Sequence, residues 1–437
     1  MYRTFATCTL GCKVNQYETD AMEQMLSKAG YLQVDFKEKA DIYIINTCSV
    51  TNMADRKSRQ MIHRAKKLNP DAIVVAAGCY IQAQKEHNEL VDENIDLIIG
   101  NNKKKDIVTI LNDYFTNQEK EAVIDINHTD EYEEMMLETV HDHTRAYLKI
   151  QDGCNQFCSY CIIPYVRGRI RSRKPEHVLE EVKNLAQNGY QEVVLTGIHV
   201  SSYGKDLEGV TLIDLIEKID EIEGISRIRL SSLEPRIITE EFVERLSTLP
   251  KICPHFHLSL QSGCNDTLKR MNRHYTIEEY EHSLKLLRSA FDEPALTTDV
   301  IVGFPGETEE EFEKTVEALT RMNLYEMHIF KYSVRKGTRA EKMPNQVPEQ
   351  IKTLRSNVLL ELSRKNQAEY EKKWIGKEEE ILAEEISEQD GKTYLTGHTK
   401  RYVKVGIENQ KNMSGQLVKV KITGQKEGNM LLGQILD

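Results

Sequence analysis

Short apolar runs alternate with amphipathic stretches through the first 115 residues. The strand candidates are Arg3–Thr9, Asp41–Asn46, Ala72–Ala77 and Asp96–Ile99. Between them, apolar positions recur at helical spacing over Asn15–Ala29, Ala54–Leu68, Ile81–Val91 and Lys105–Phe115. Strands alternating with such helices predict a parallel α/β sheet. Residues 117–142 break the pattern: nine acids face one lysine, Lys120, with some strand character at Ala122–Ile126. This charge run reads as a solvated linker. Alternation then resumes. Strands are expected at Ala146–Gln151, Glu192–Thr196, Arg227–Ser231, His255–Leu260, Thr297–Val302 and Glu326–Tyr332. Helices are expected at Glu176–Asn188, Leu212–Glu221, Glu240–Leu249, Ile277–Ala290, Glu309–Arg321 and Pro348–Lys373. Six βα units predict a barrel or part of one, with ligands at the carboxyl ends of its strands. From Trp374 the period shortens to runs at Lys377–Ile386, Thr393–His398, Val403–Gly406, Leu417–Ile422 and Met430–Ile435. Five short strands punctuated by glycine predict a small all-β barrel. The expected class is α/β, with domains at 1–116, 143–372 and 373–437 and an acidic linker at 117–142.

Charge changes this picture only locally. Of 437 residues, 58 are basic and 69 acidic, a formal net charge of −11. No whole-chain basic field exists, which argues against a simple electrostatic coat on nucleic acid. No run is long and apolar enough for a membrane span, and no apolar signal region follows Met1, so a cytoplasmic location is expected. Cysteines there more often bind metal or do chemistry than form disulfides.

The strongest chemical signal is Cys154-x3-Cys158-x2-Cys161, directly after the first barrel strand. Three thiolates in this stretch can grip one soft metal centre, and no fourth ligand is supplied locally. A [4Fe–4S] cluster on three cysteines leaves one iron open. The alternative is structural zinc with a remote fourth ligand, which the spacing fits less well than paired C-x2-C knuckles. Cys12, Cys48 and Cys79 each lie just past the end of a predicted strand in the first domain. In a parallel sheet those ends share one edge, so the three should converge. Each precedes a helix start, which favours thiolate. The alternative is three separately packed small side chains. Cys8, Cys253 and Cys264 remain. The last two read as structural. Cys8 either packs on its strand or acts as a fourth ligand.

C-x3-C-x2-C after a first barrel strand resembles the radical S-adenosylmethionine enzymes. Along nearly the whole chain the sequence is similar to their methylthiotransferase family. The matching segments include Gly11-Cys12-Lys13-Val14-Asn15-Gln16-Tyr17-Glu18, Asn46-Thr47-Cys48 and Gly78-Cys79. Others are Arg229-Leu230-Ser231-Ser232-Leu233-Glu234-Pro235, His257 through Gly263, Asp299 through Glu307, and Tyr332-Ser333-x-Arg335-x-Gly337-Thr338. The resemblance implies a cluster domain, a radical domain and a C-terminal TRAM domain. It implies two [4Fe–4S] clusters, on Cys12, Cys48 and Cys79 and on Cys154, Cys158 and Cys161. It also implies S-adenosylmethionine as both methyl donor and radical source. The Lys13-to-Glu18 wording is closest to the subgroup that methylthiolates C2 of N6-threonylcarbamoyladenosine at position 37 of tRNA. Alternatives within the family are N6-isopentenyladenosine-37 in tRNA and ribosomal protein S12. Outside enzymes, the alternative is a metal-bearing RNA-binding protein. An aromatic C–H is not acidic, so replacing it needs a radical route. The sequence names neither the sulfur source nor the electron donor.

Cofactor-contact candidates are Thr196 and Gly197 at a strand end, Gly303 in a loop opening a helix, and Glu234 and Gln261 at strand ends. Thr196-Gly197 and Gly303 read equally as plain turns. Tyr165–Lys174 carries five positive charges and no acid. Arg167 and Arg173 there are candidates for the cofactor carboxylate, and the stretch also suits tRNA phosphate. Ala54–Lys67 carries six basic residues against Asp55, beside Cys48. The loop His398–Tyr402 pairs positive charge with an aromatic ring, as single-strand binders do.

Overall fold

The computed structural model describes residues 3–436 except 88, 90–91, 139–143, 390, 409–410, 412 and 427–429. The first domain contains β1 (Thr4–Thr9), α1 (Lys13–Lys28), β2 (Leu32–Gln33), β3 (Ile42–Thr47) and α2 (Asn52–Leu68). It continues with β4 (Ile73–Gly78), α3 (Cys79–Glu86), β5 (Leu97–Ile99), α4 (Ile107–Asn117) and β6 (Glu121–Ala122). All six strands are parallel, in the order β2-β1-β3-β4-β5-β6. β3 is buried along its whole length, because helices cover both faces of the sheet. The two-residue strands β2 and β6 are too short to show a sequence pattern. The helix expected to run to Val91 ends at Glu86, and residues 88, 90 and 91 of that expectation lie outside the described residues.

The acidic stretch is not the solvated linker its charges suggest. Its last residues, 139–142, lie outside the described part of the chain. Ahead of them, Ile126, Glu133, Met135 and Leu137 are buried. Glu133 Oε1 accepts from the Lys105 backbone N–H at 2.9 Å, and Glu134 pairs with Arg173. The strap lies between two domains, so its acids meet cations from other parts of the chain, which a local charge count does not see.

The second domain begins with β7 (Ala146–Asp152), α5 (Ile163–Val166), β8 (Arg171–Ser172), α6 (Pro175–Gln187), β9 (Glu192–Gly197) and α7 (Leu212–Asp220). β10 (Arg227–Leu230), α8 (Glu240–Ser247), β11 (His255–His257), α9 (Asn265–Arg270) and α10 (Ile277–Ala290) follow. β12 (Ala295–Val302), α11 (Glu309–Met322), β13 (Glu326–Lys331) and α12 (Glu349–Lys372) complete it. β7-β9-β10 and β11-β12-β13 are parallel runs, joined by the bridge Leu233–Leu258. The result is an open arc of six parallel strands, a partial barrel. Capping boxes at Thr211/Asp214, Thr276/Glu279 and Thr308/Glu311 start three of its helices where the sequence places them.

β14 (Glu378–Gln389), β15 (Lys392–Thr399), β16 (Lys404–Glu408), β17 (Leu417–Lys426) and β18 (Met430–Ile435) close a barrel of their own. Its β15–β16 loop plugs the floor of the open arc. The Tyr402 ring stacks on His398 at 4.4 Å and on His255 at 5.2 Å. Arg229 donates to the carbonyls of Lys400 at 3.0 Å and Thr399 at 3.3 Å. Arg401 donates to the carbonyls of Asp292 and Glu293. This loop therefore anchors one domain to another rather than offering an RNA-binding ring. Beneath it, Glu192 is shared by Arg145, Arg227 and Arg229. Burial favours its neutral form, yet Arg229 and Arg145 outweigh burial and hold its carboxyl down to about 2. No helix among the described residues is long and apolar enough to cross a membrane.

Candidate active site

β1, β3 and β4 are neighbours in register, with Thr9 opposite Asn46 and Thr47 opposite Gly78. The turns that follow them therefore open on one sheet edge. Cys12 caps α1, Cys48 follows β3, and Cys79 is the first residue of α3. Gly11 has φ +105°, and a Cβ there would lie 2.7 Å from Cys48 Sγ, so only glycine lets the two turns approach. Asn15 ties the edge together. Its Nδ2 donates to the carbonyls of Leu10 at 2.7 Å and Thr47 at 3.0 Å. The Cys48 thiol is pushed up to about 12, by burial first and then by Cys79 and Cys12 beside it. Three thiolates crowded this way repel one another, and a bound cationic centre relieves the repulsion. All three are free thiols, so the donor set suits a soft metal.

The second set sits on the loop after β7. Cys154 N–H donates to the Gly168 carbonyl at 3.0 Å, and Ser159 N–H to the Met271 carbonyl at 2.9 Å. Asn272 Nδ2 holds the carbonyls of Gln156 and Phe157. The loop is thus fastened before any metal arrives. Arg273 donates to Cys158 Sγ at 3.2 Å. Burial, followed by Cys158, pushes the Cys154 thiol up to about 11. Arg273, 112 residues from Cys161 in the chain (273 minus 161), carries no sequence signal beyond its charge.

The two sets meet. α5 follows Cys161 and packs on α3, burying Ile162 and Val166 against Cys79 and Ala83. A cavity of about 450 Å³ is lined by Val50 and Thr51 beside Cys48, by Cys161, and by Gln261, Asp299 and Phe330 of the arc. One chamber is therefore bordered by both domains.

The remaining candidates divide. Glu234 accepts from Gln156 Nε2 at 3.2 Å, and its other oxygen is buried without a hydrogen-bond partner. Such an orphaned acceptor at a barrel strand end fits a ligand carrying polar donors, as S-adenosylmethionine does. Gln261 lines the chamber with φ +74°, a backbone conformation unusual for a side-chain-bearing residue and commoner at functional sites. Thr196 is buried at the end of β9, and a Cβ at Gly197 would lie 3.0 Å from Gln151 Oε1. Gly303 is a tight turn: φ is +70°, its N–H donates to Glu307 Oε1 at 3.0 Å, and Lys352 packs over it. A Cβ there would strike Lys352 Cγ at 2.3 Å, so the need for glycine comes from Lys352.

Arg167 and Arg173 do not face a cofactor carboxylate. Arg167 donates to Glu18, Asp152 and Asn15 and places Nε 3.3 Å from Cys79 Sγ. Arg173 pairs with Glu134 and Glu181 and donates to the Met135 carbonyl. With Arg171 also buried, three of the five cations of Tyr165–Lys174 form an internal brace; Arg169 is half-buried and Lys174 exposed. The α2 face differs: Arg56, Lys57, Arg59, Arg64 and Lys67 are exposed.

Cys8 packs with Ala6, Tyr43 and Ile62 on the α2 side of the sheet. Cys8→Ser is therefore expected to retain the iron content and visible spectrum of the unaltered protein after reconstitution. A halved iron content would make Cys8 a ligand.

Residues 4–100 match a family described as uncharacterized protein family UPF0004, and residues 148–319 match the Radical SAM superfamily. The chain is 42% identical to the threonylcarbamoyladenosine tRNA methylthiotransferase MtaB of Bacillus subtilis, over 96% of this chain and 93% of that protein. It is 38% identical to a tRNA-2-methylthio-N(6)-dimethylallyladenosine synthase of Clostridium botulinum, over 95% and 93%. Among solved structures it is similar to the radical S-adenosylmethionine methyltransferase TsrM of Kitasatospora setae. That match has a TM-score of 0.57 at 15% identity and covers 76% of this chain and 72% of that one, a likeness of fold alone. With this identity along nearly its whole length, and Cys161 lining one chamber with the turn after Cys48, the chain belongs to the methylthiotransferase family of radical S-adenosylmethionine enzymes.

Proposed function

We propose that the protein methylthiolates C2 of N6-threonylcarbamoyladenosine at position 37 of tRNA. The observation that carries the reading is a chamber lined by Cys161 of one three-cysteine set and by Val50 and Thr51, which follow Cys48 of the other. A C–H on an aromatic ring must be broken and a C–S bond made at the same carbon, so two reactive centres have to reach one atom. When bound, S-adenosylmethionine on one [4Fe–4S] cluster supplies radical hydrogen abstraction, and a second cluster supplies the sulfur that is methylated. Cys154, Cys158 and Cys161 would hold the first, and Cys12, Cys48 and Cys79 the second. Glu234 and Gln261, with Thr196 and Gly197, would position S-adenosylmethionine at the strand ends. Arg273 screens the charge at Cys158. The exposed basic face of α2 borders the Cys48 turn and suits tRNA phosphates. The reaction needs a reductant and a sulfur donor as partners, and tRNA places it in the cytoplasm.

The test compares modified nucleosides in tRNA from cells with and without this protein. Loss of 2-methylthio-N6-threonylcarbamoyladenosine, with its unthiolated precursor accumulating, is the expected result. Loss of the methylthiolated isopentenyl nucleoside instead would move the substrate to the other tRNA subgroup. Unchanged tRNA with an altered ribosomal protein S12 would overturn the tRNA reading.

A further inference from the structure

Lys13 is the first residue of α1, directly after Cys12, and its side chain is exposed. It leaves its own domain and reaches inside the open arc, with Nζ 5.9 Å from the centre of the Tyr147 ring on β7. Its like-charged neighbours are Arg229 and Arg145, and the single acid near it is Glu192. That acid is already taken: Arg145, Arg227 and Arg229 all pair with Glu192. The other carboxylates of the floor, Glu384 and Glu380, pair with Arg145 and Arg227. Four cations thus share three carboxylates, and the arginines use all three. Among the described residues Lys13 has no carboxylate partner. An ammonium beside two guanidinium groups, without a carboxylate of its own, leaves this end of the lumen with an excess of positive charge.

The geometry points to a role for it: we infer that Lys13 receives the carboxylate of the threonylcarbamoyl group and so selects that base over N6-modified adenosines without a charge. The inference rests on the proposed substrate. C2 and C6 flank N1 of adenine, so a base with C2 between the two cysteine sets carries its N6 substituent several ångströms off. Lys13 is one residue from Cys12, and a lysine stem spans a distance of that order. The threonylcarbamoyl carboxylate would supply the missing negative charge, and an isopentenyl group would not. Farther up the same lumen, ligand atoms of His257, Asp299 and His328 lie within 4.8 Å of one another and offer polar partners for the hydroxyl and urea groups.

The experiment uses the full chain with its clusters reconstituted. Initial rates are measured on an anticodon stem-loop RNA carrying threonylcarbamoyladenosine and on the same RNA with that carboxylate as a methyl ester. Unaltered protein is expected to favour the acid by roughly ten- to a hundredfold in kcat/KM, the range for a charge-assisted hydrogen bond. The preference should lie mainly in KM, because the contact is equal in ground and transition states. Lys13→Gln should bring the two RNAs to within about twofold of each other, while Lys13→Arg should keep most of the preference. Iron per chain shows whether each variant is loaded. The ester comparison on unaltered protein stands even if a variant does not fold.

Failure of unaltered protein to methylthiolate the acid RNA would sink the substrate reading, and this inference with it. Activity on both RNAs without preference would overturn the inference alone. So would a preference that survives Lys13→Gln. An equal loss on both RNAs would assign Lys13 to tRNA phosphate. A raised KM for S-adenosylmethionine would assign it to the methionyl carboxylate. Either result overturns the inference.

Discussion

Cys158→Ala is expected to lower reconstituted iron from about eight to about four per chain and to abolish 5′-deoxyadenosine formation. Cys158 is half-buried on a loop that Ser159, Asn272 and Arg273 already hold in place. Removing its sulfur leaves two thiolates and an uncompensated Arg273, a donor set too small for a four-iron cluster. The loss should be essentially complete, because no other thiol lies in this loop beyond Cys154 and Cys161. Cys48→Ala makes the necessary contrast. It should also lose about four irons, yet keep cleaving S-adenosylmethionine while inserting no sulfur. Iron analysis with chromatography of 5′-deoxyadenosine and of tRNA nucleosides reads all of these outcomes. Sulfur insertion by a protein lacking Cys12, Cys48 and Cys79 would refute the two-centre division.

Glu18→Gln is expected to destabilise the docked first and second domains by roughly 3–5 kcal/mol, the cost of breaking a buried ion pair on one side. Glu18 pairs with Lys104 of its own domain and with Lys149 and Arg167 of the arc. All of these side chains are buried. Lys149 and Arg167 keep Asp152 as a partner, but Lys104 is left with no ion pair among the described residues and only the more distant Glu133 nearby. Arg167 also touches Asn15 and Cys79, so the change loosens the first cysteine set along with the interface.

The acid dependence has a definite sign. Burial alone would raise the Glu18 carboxyl, but Arg167, Lys104 and Lys149 hold it well below its usual range. Its stabilising contribution is therefore complete above the unfolded value of about 4.3 and fades as pH falls below that. Denaturant unfolding of the two proteins should differ most at neutral pH and converge in strong acid. A difference independent of pH would mean that the substitution acts by packing instead of charge. Stability here refers to the interface transition, since a chain of several domains need not unfold in one step.

How much of this could be read from the sequence depends on the range of the interactions involved. The αβ alternation, the five glycine-punctuated strands and both cysteine sets follow from local periodicity and strand-end position. Each requires only that neighbours in sequence share an element. Cys12, Cys48 and Cys79 are far apart in the chain, yet a parallel sheet brings successive strand ends to one edge. Cys8 stayed open between packing and ligation in the sequence; the fold packs it with Ala6 on the α2 side of the sheet.

Charge was read less well, because the partner of a charge is a tertiary fact. Arg167, Arg171 and Arg173 resemble a phosphate-binding run on paper. In the fold they are buried by Glu18, Asp152, Glu134 and Glu181, carboxylates drawn from other elements. The acids of the strap look solvated for the converse reason. His398 to Tyr402 reads as a nucleic-acid loop but fills the floor of the arc, since an aromatic ring flanked by cations is equally suited to stacking on histidine and arginine. By itself, the sequence determined the long elements, their order and which cysteines share a loop or a sheet edge, because periodicity and spacing are local. Only the tertiary structure decided which charges are cancelled and that Lys13 is not, because compensation depends on distances across domain boundaries.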